Sequence, residues 1–323
     1  MKLVSLFTGA SELDLGFKNA GFEIVGASEF DKKMGETFEF NFPEVTLDRR
    51  STIDVDSKEI PDVDGIIGGA SCQSWSGVGR GIDDDRSELF LEYIRVLEDK
   101  KPKFFLAENV SVILSSKHRD AFNSFIKAFE KAGYIVSSKL VNANDYNVPE
   151  DSLRVFIVGY RKDLNKKFEF PVEHEYNPIL NDAIGNLREE IPTKIGNKTN
   201  ADGLKIANHE HLTSDYSTMY MYRNQVRSFN CPSFPIKAGD RHAPIHPEAS
   251  KMELMSQNKR ILLPGKEQEY RKLSVREGGR IQNFSNDYIF KYNKLSDGYK
   301  MVGNSVSVNL VHEIAKAIMN DLK

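Results

Sequence analysis

Hydrophobic and polar positions follow two rhythms over the first 160 residues. Short apolar runs at 2–7, 23–27, 65–69, 104–107, 135–141 and 155–160 read as strands. Between them, 13–20, 88–97 and 118–131 space their apolar residues as helices do. In the last of these, Phe122, Phe125, Ile126 and Phe129 share a face, and Gly133 supplies a stop. Strands alternating with helices predict an α/β fold, a mostly parallel doubly wound sheet covered on both sides.

After Arg161 the rhythm is lost. Up to about Lys272 the chain is rich in Asn, Pro, His and short irregular runs. Helical spacing returns at 275–284 and 308–322, where Val311, Ile314, Ile318 and Leu322 form a stripe. Three parts are expected: a sheet domain over 1–165, a smaller irregular domain over 166–272, and C-terminal helices over 273–323 that return to the first domain.

Composition narrows the class. With 323 residues, 40% hydrophobic and 28% charged, the chain is an ordinary globular protein of about two domains. No apolar run reaches the ~20 residues of a membrane helix, and the opening run is too short for a secretory signal. Two cysteines, Cys72 and Cys231, imply no disulfide framework and point to a reducing, cytoplasmic setting. A net charge of -3 excludes a wholly basic nucleic-acid binder but leaves room for a local basic face. The 216–242 segment is the best candidate for one, with four Lys or Arg, one acid and five interleaved aromatics. A solvated loop around a small aromatic core is the plainer reading.

The candidate chemistry lies where strands end, since open α/β sheets bind ligands outside their carboxyl ends. Phe7-Thr8-Gly9-Ala10 follows the first strand, and Gly9 lets backbone approach a ligand. Glu29 ends the second strand, 20 residues after Gly9, where a carboxylate suits ribose hydroxyls, and Phe30 beside it offers a ring to a base. A turn and a surface acid would look the same, and no complete G-x-G-x-x-G is present. Cys72 sits in the polar loop after the 65–69 strand, as a potential thiolate nucleophile or as a small apolar filler. Trp75, the single tryptophan, reads as core. Glu108 follows four apolar residues, which puts a carboxyl at the same edge, able to donate a proton or simply to face solvent. Arg154 opens a later strand. The histidines at 209, 211, 242 and 246 complete no zinc pattern, so no metal is expected.

Together these residues resemble the bacterial DNA (cytosine-5) methyltransferases. The matching pieces are Phe7-Thr-Gly9, Cys72-Gln-Ser-Trp-Ser, Glu108-Asn109-Val110, Arg154-Val-Phe, Arg276-Glu277 with Arg280-Ile-Gln282, and Gly303-Asn304-Ser-Val. Each is short, but six in the family's order over nearly the whole chain are specific. The resemblance implies S-adenosylmethionine as cofactor, surrounded by Phe7, Gly9, Glu29, Phe30 and Asn304. It implies that Cys72 attacks C6 of a flipped cytosine, that Glu108 holds or protonates N3, and that Arg154 holds the base or nearby backbone. It makes 166–272 a target-recognition domain, closest to the GGCC-specific methylases at Arg223-Asn-Gln-Val-Arg227-Ser-Phe. Arg223, Arg227 and Arg241 are then the candidate guanine contacts. Double-stranded DNA is the implied partner, with a cognate restriction endonuclease in the functional setting, no membrane, and a monomer as the working form.

Departures cluster around the same pocket. Ser11 and Glu12 replace two glycines of the family's first loop, Ser51 stands where an acid is expected, and Ala70-Ser71 replaces Pro-Pro. Glu150-Asp-Ser152-Leu-Arg154 replaces Gln-x-Arg-x-Arg, and Ser307 replaces a proline. A charged Glu12 ~4 Å from the cofactor's carboxylate would repel it by about 1 kcal/mol in water, and by about 4 at an effective dielectric near 20. These changes keep a second reading open: a DNA-binding homologue with impaired or absent transfer, acting as regulator or accessory subunit.

Overall fold

The computed structural model describes residues 1–69, 85–199, 203–217 and 220–323, with backbone only at 85–88 and 240. Ser71, Cys72 and Trp75 therefore lie outside the described residues. Two compact units divide the chain. The first comprises Met1–Asn142, Leu153–Val172 and Val311–Lys323, and the second Ala143–Ser152 and Glu173–Leu310. This course differs from single cuts at 165 and 272. Residues 143–152 leave the first unit between two of its strands, and 273–310 group with the irregular part.

The first unit runs β1 (Lys2–Leu6), α1 (Glu12–Asn19), β2 (Glu23–Ser28), α2 (Lys32–Asn41), β3 (Leu47–Asp48), β4 (Gly65–Gly68), α3 (Asp85–Lys100), β5 (Phe104–Val110), α4 (Arg119–Lys131), β6 (Tyr134–Asn142) and β7 (Leu153–Arg161). The seven strands lie in the order β3-β2-β1-β4-β5-β7-β6. From β3 to β5 all neighbours are parallel, and β7 is antiparallel to both β5 and β6. This is the mostly parallel α/β sheet the alternation predicts.

Burial follows from that topology. Central parallel strands are covered on both faces, so they read as continuous apolar runs. Leu3, Val4, Ser5 and Leu6 of β1 are all buried, as are all four residues of β4. On one face, Phe125 and Phe129 of α4 pack with Phe90, Tyr93 and Phe105. Phe105 stacks on Phe129 at 4.3 Å and meets the edge of Tyr134 at 5.1 Å. The Tyr93 hydroxyl donates to the carbonyls of Ile66 and Leu106 (3.1 and 2.8 Å), tying the helix to β4 and β5.

The second unit contains α5 (Leu180–Ile184), β8 (Thr193–Ile195), β9 (Glu210–Leu212), β10 (Glu253–Ser256), β11 (Lys259–Ile261), α6 (Val275–Ile281) and α7 (Leu295–Asn304). α8 (Val308–Leu322) begins here and continues into the first unit at Val311. There Gly16 of α1 lies against Val311, since a Cβ on Gly16 would come within 2.4 Å of its side chain. No helix among the described residues is long and apolar enough to cross a membrane.

Candidate active site

In the sheet, β1 and β4 are neighbours from which the chain progresses outward in opposite directions. Such a switch point opens a crevice beyond the strand ends. The loop after β1 lies at this crevice and is tightly folded. Phe7, Gly9 and Ser11 all have left-handed backbone (φ 56°, 58° and 64°). Glycine adopts that region freely, whereas Phe7 and Ser11 do so at a steric cost. The Thr8 hydroxyl donates to buried Asp14, anchoring the loop to α1. Burial pushes the Asp14 carboxyl up to about 6, against opposing hydrogen bonds from Thr8 and Ser5.

Ser11 is buried at zero exposure, and its hydroxyl has no hydrogen-bond partner among the described residues. The family glycine at this position fits the geometry better. Ser11→Gly is expected to stabilise the protein by about 1–3 kcal/mol: strain and a buried hydroxyl are each worth roughly 1–2, offset by about 0.4–1 of added chain entropy. Urea unfolding checks this, and an unchanged or lower midpoint contradicts it.

Glu29 stands at the end of β2 with both carboxylate oxygens oriented. Gly9 N–H donates to Oε2 at 2.8 Å and Asp31 N–H to Oε1 at 2.7 Å. These bonds fix the carboxylate at the strand end, as an acceptor type that suits ligand hydroxyls. Phe30 beside it is 75% exposed, so its ring is open to stacking. A cavity of about 310 Å³ reaches Ser28, with Val4, Leu6 and Val25 among its walls and Asp48 and Thr52 at its polar side. Phe7, Gly9, Glu29 and Phe30 do not line it. Ser51 precedes Thr52, and Arg50 beside it pairs with Asp48 and Glu59 at 2.7 and 2.9 Å.

Two further strands complete the edge. Arg154 of β7 pairs in register with Val110 of β5, and Glu108 lies two residues back, on the same face. Glu108 Oε1 and Arg154 Nε are 3.6 Å apart, an ion pair longer than a hydrogen bond. Their side chains are only 13% and 10% exposed. Glu108 Oε1 has no hydrogen-bond partner among the described residues. Burial pushes the Glu108 carboxyl above the usual glutamate range, and Arg154 works against that. Such a shift favours the protonated carboxyl, the form able to donate to a base.

Gly69, directly after β4, ties these pieces together. A Cβ there would lie 3.4 Å from Glu108 Oε2 and 4.0 Å from Leu13 of α1. Cys72 follows by three residues, a covalent reach of about 11 Å at most. Glu12, the neighbour of Leu13, places both carboxyl oxygens 3.7 and 3.8 Å from a Cβ built on Gly9. Burial pushes Glu12 up to about 8, reinforced by Glu108 and Asp14 and opposed by its own backbone N–H and by Arg154. It is therefore protonated at pH 7, and the expected repulsion of a cofactor carboxylate is muted there. The only local signal was an acid in a glycine position.

The second unit redistributes the other candidates. Arg223 and Arg241 are exposed, as is Asn304 at the end of α7. Arg227 is committed within the unit. Its Nη1 donates to Asp151 at 2.5 Å and to the Pro232 carbonyl at 2.9 Å, and its guanidinium lies 4.1 Å from the Phe234 ring centre. The aromatics of the basic segment are largely core: Tyr220 and Phe229 are buried, and Tyr216 stacks on Tyr220. Only Tyr222 is an exposed ring among those named. Two departures meet here. Buried Glu150 accepts from Ile236 N–H at 2.7 Å and from the Ser307 hydroxyl at 3.4 Å, so the serine supplies a donor that proline lacks.

Comparison with known proteins agrees with this geometry. The family model for C-5 cytosine-specific DNA methylase matches residues 1–320. The chain is 50% identical to the type II methyltransferase M.FnuDI of Fusobacterium nucleatum, covering 100% of this chain and 95% of the relative. It is 47% identical to M.MthTI of Methanothermobacter thermautotrophicus, covering 100% and 98%. Among solved structures, a Spodoptera frugiperda DNMT2 variant superposes with a TM-score of 0.72 at 20% identity, covering 98% and 99%, which is a likeness of fold.

Proposed function

The chain belongs to the C-5 cytosine-specific DNA methylase family, and from that premise we propose that it methylates C5 of a cytosine flipped out of a short, GC-rich duplex site. The observation that carries the site assignment is the buried Glu108–Arg154 pair beside Gly69, three residues before Cys72. The family depends on S-adenosylmethionine, and so does this enzyme. When bound, S-adenosylmethionine supplies an electrophilic methyl group. The described residues fit it: Glu29 for ribose hydroxyls, Phe30 for the adenine face, and the Phe7–Gly9 turn for close backbone approach. Asn304 completes the set by family position.

The chain's own residues then divide the work. The Cys72 thiolate bonds to C6 of the cytosine. Glu108 holds a proton at N3, which draws electrons into the ring and makes C5 nucleophilic. Arg154 orients the base beside it. After C5 is methylated, its proton passes to solvent water, the freed electron pair forms the C5–C6 double bond and expels the Cys72 thiolate, and N3 returns its proton to Glu108, restoring the aromatic ring. Arg223 and Arg241 are free of the commitments that hold Arg227, so the guanine contacts fall first to them. Their relatives' type II names suit a restriction–modification setting with a cognate endonuclease, and a monomer suffices for one asymmetric target.

Labelled methyl groups are expected to pass from S-adenosylmethionine to mixed duplex DNA, with guanine enriched next to the modified cytosine. Absence of that enrichment removes the GC-rich assignment. Site-selective binding without any transfer favours the regulator or accessory role instead.

A further inference from the structure

In the second unit, β10 and β11 form a ribbon that pairs with no other strand among the described residues, Leu254 standing opposite Arg260. Leu254 and Met255 are 57% and 56% exposed, and neighbours on a strand point to opposite faces. Antiparallel sheets ordinarily bury one face. Here each face shows solvent one large apolar side chain. Gln257 and Asn258 form the turn at the tip, exposed and without a hydrogen bond among the described residues. A lone two-stranded hairpin is marginal in water, and this one is held at its base. Met252 is buried with Tyr220, Val226 and Tyr270. Its N–H donates to Asn224 Oδ1 at 3.1 Å, and Gln225 N–H donates to its sulfur at 3.4 Å. β11 packs on the Tyr220–Tyr222 turn. The ribbon is thus clamped to the two residues after Arg223, whose own amides turn inward onto the carbonyls of Val226 and Tyr220 (2.7 and 2.8 Å). Exposed Tyr222 and Arg223 stand at its base. Residues 251–261 hold three cations, Lys251, Lys259 and Arg260, against one acid, Glu253, in a chain of net charge -3. Neither lysine forms an ion pair among the described residues. Duplex DNA answers all of these features. It brings phosphates to the lysines, and its major groove admits a two-stranded ribbon and displays thymine methyls and adenine edges.

We propose that the β10–β11 ribbon enters the major groove on the flank of the guanines that Arg223 addresses, and that it favours an A·T pair there. A tip amide, Gln257 or Asn258, bridges adenine N6 and N7. An apolar side chain, Leu254 or Met255, meets the thymine methyl, and Lys259 meets a phosphate. None of the candidate guanine contacts at 223, 227 and 241 lies on this ribbon. The proposal rests on the functional reading above for its ligand, and extends that reading from the modified site to the base pairs beside it.

The test is fluorescence anisotropy of the full chain with short duplexes centred on GGCC, differing only in the flanking pairs, beside one duplex with a scrambled centre. The A·T flank is expected to bind on the order of 10-fold tighter than G·C, and Gln257→Ala with Asn258→Ala to lose that preference. Uracil in place of the flanking thymine removes only the methyl group. It should weaken wild-type binding by about 4-fold, the worth of one buried methyl, and have no effect in Leu254→Ser with Met255→Ser. Lys259→Ala should lower the slope of log affinity against log salt by about 1. Equal wild-type affinity for every flank, with GGCC still preferred over the scrambled centre, overturns the ribbon's role and leaves the functional reading in place. Self-association that is lost in Leu254→Ser with Met255→Ser, at unchanged duplex affinity, gives the ribbon to a second copy of the chain and overturns it too. Failure to prefer GGCC over the scrambled centre overturns the GC-rich reading, and with it the proposal built on it.

Discussion

Cys72→Ala is expected to abolish methyl transfer, by on the order of 10⁴-fold or more, with duplex affinity unchanged. C5 of cytosine has little nucleophilic character until a bond forms at C6. Positioning and electrostatics cannot replace that bond, so the loss belongs to chemistry rather than binding. Glu108→Gln should cost less, roughly 10²–10⁴-fold, because the amide can still donate a hydrogen bond to N3 but carries no transferable proton. Single-turnover transfer of labelled methyl measures both. A duplex with fluorine at C5 of the target adds a second readout. Its ring has no C5 proton to lose, so the sulfur–carbon adduct should persist on a denaturing gel in the wild type and be absent from Cys72→Ala. Transfer that survives the substitution assigns the nucleophile elsewhere.

Most of the sheet was legible because its signals are local. β1, β4 and β5 are buried on both faces, so apolar runs mark them without knowledge of their partners. α4 announced itself by one aromatic face and by Gly133, which adopts φ 104° where the helix stops. α2 and α7 went unread. Gly35, Gly298 and Gly303 interrupt their helical pattern, and packing overrides the low propensity. The site was legible in residue type but not in company. Glu12 and Glu108 are 96 residues apart, and no local pattern says that burial lifts both carboxyls above the usual glutamate range. Arg227 looked like a free basic contact because its partner Asp151 lies 76 residues away. Tyr216 and Tyr220 stack on each other, which is the small aromatic core that the plainer reading of this segment expects.

Arg271→Ala is expected to destabilise the second unit by about 3–5 kcal/mol, far more than an exposed ion pair would. Glu277 of α6 is wholly buried, and its carboxylate is fully engaged. Arg271 donates to it through both Nη atoms at 2.7 and 2.8 Å, and Ser274 N–H adds a bond at 2.7 Å in the box that starts the helix. His246 Nε2 approaches within 3.6 Å. Burial alone would raise the Glu277 carboxyl, but the Arg271 bonds and charge outweigh it and hold the group below its usual range. Removing Arg271 strands that charge. Replacing both partners, as Arg271→Met with Glu277→Leu, should cost much less, because no buried charge remains. The pH dependence has a definite sign. Glu277 titrates lower in the folded chain, so its contribution is present above the unfolded carboxylate value and is lost as pH falls through the folded one. Burial also holds His246 and His211 down to about 4, so each resists protonation in the fold and accepts it readily once unfolded. Their contribution is complete above about 6.5 and drains away toward 4, on the order of 3 kcal/mol for each. Protection factors of α6 amides, which remove the intrinsic pH dependence of exchange, should therefore fall as pH drops across that interval in the wild type, and be lower at every pH in Arg271→Ala. Protection factors that are flat with pH, or a single substitution as mild as the double, would show that the cluster is not what holds this unit together.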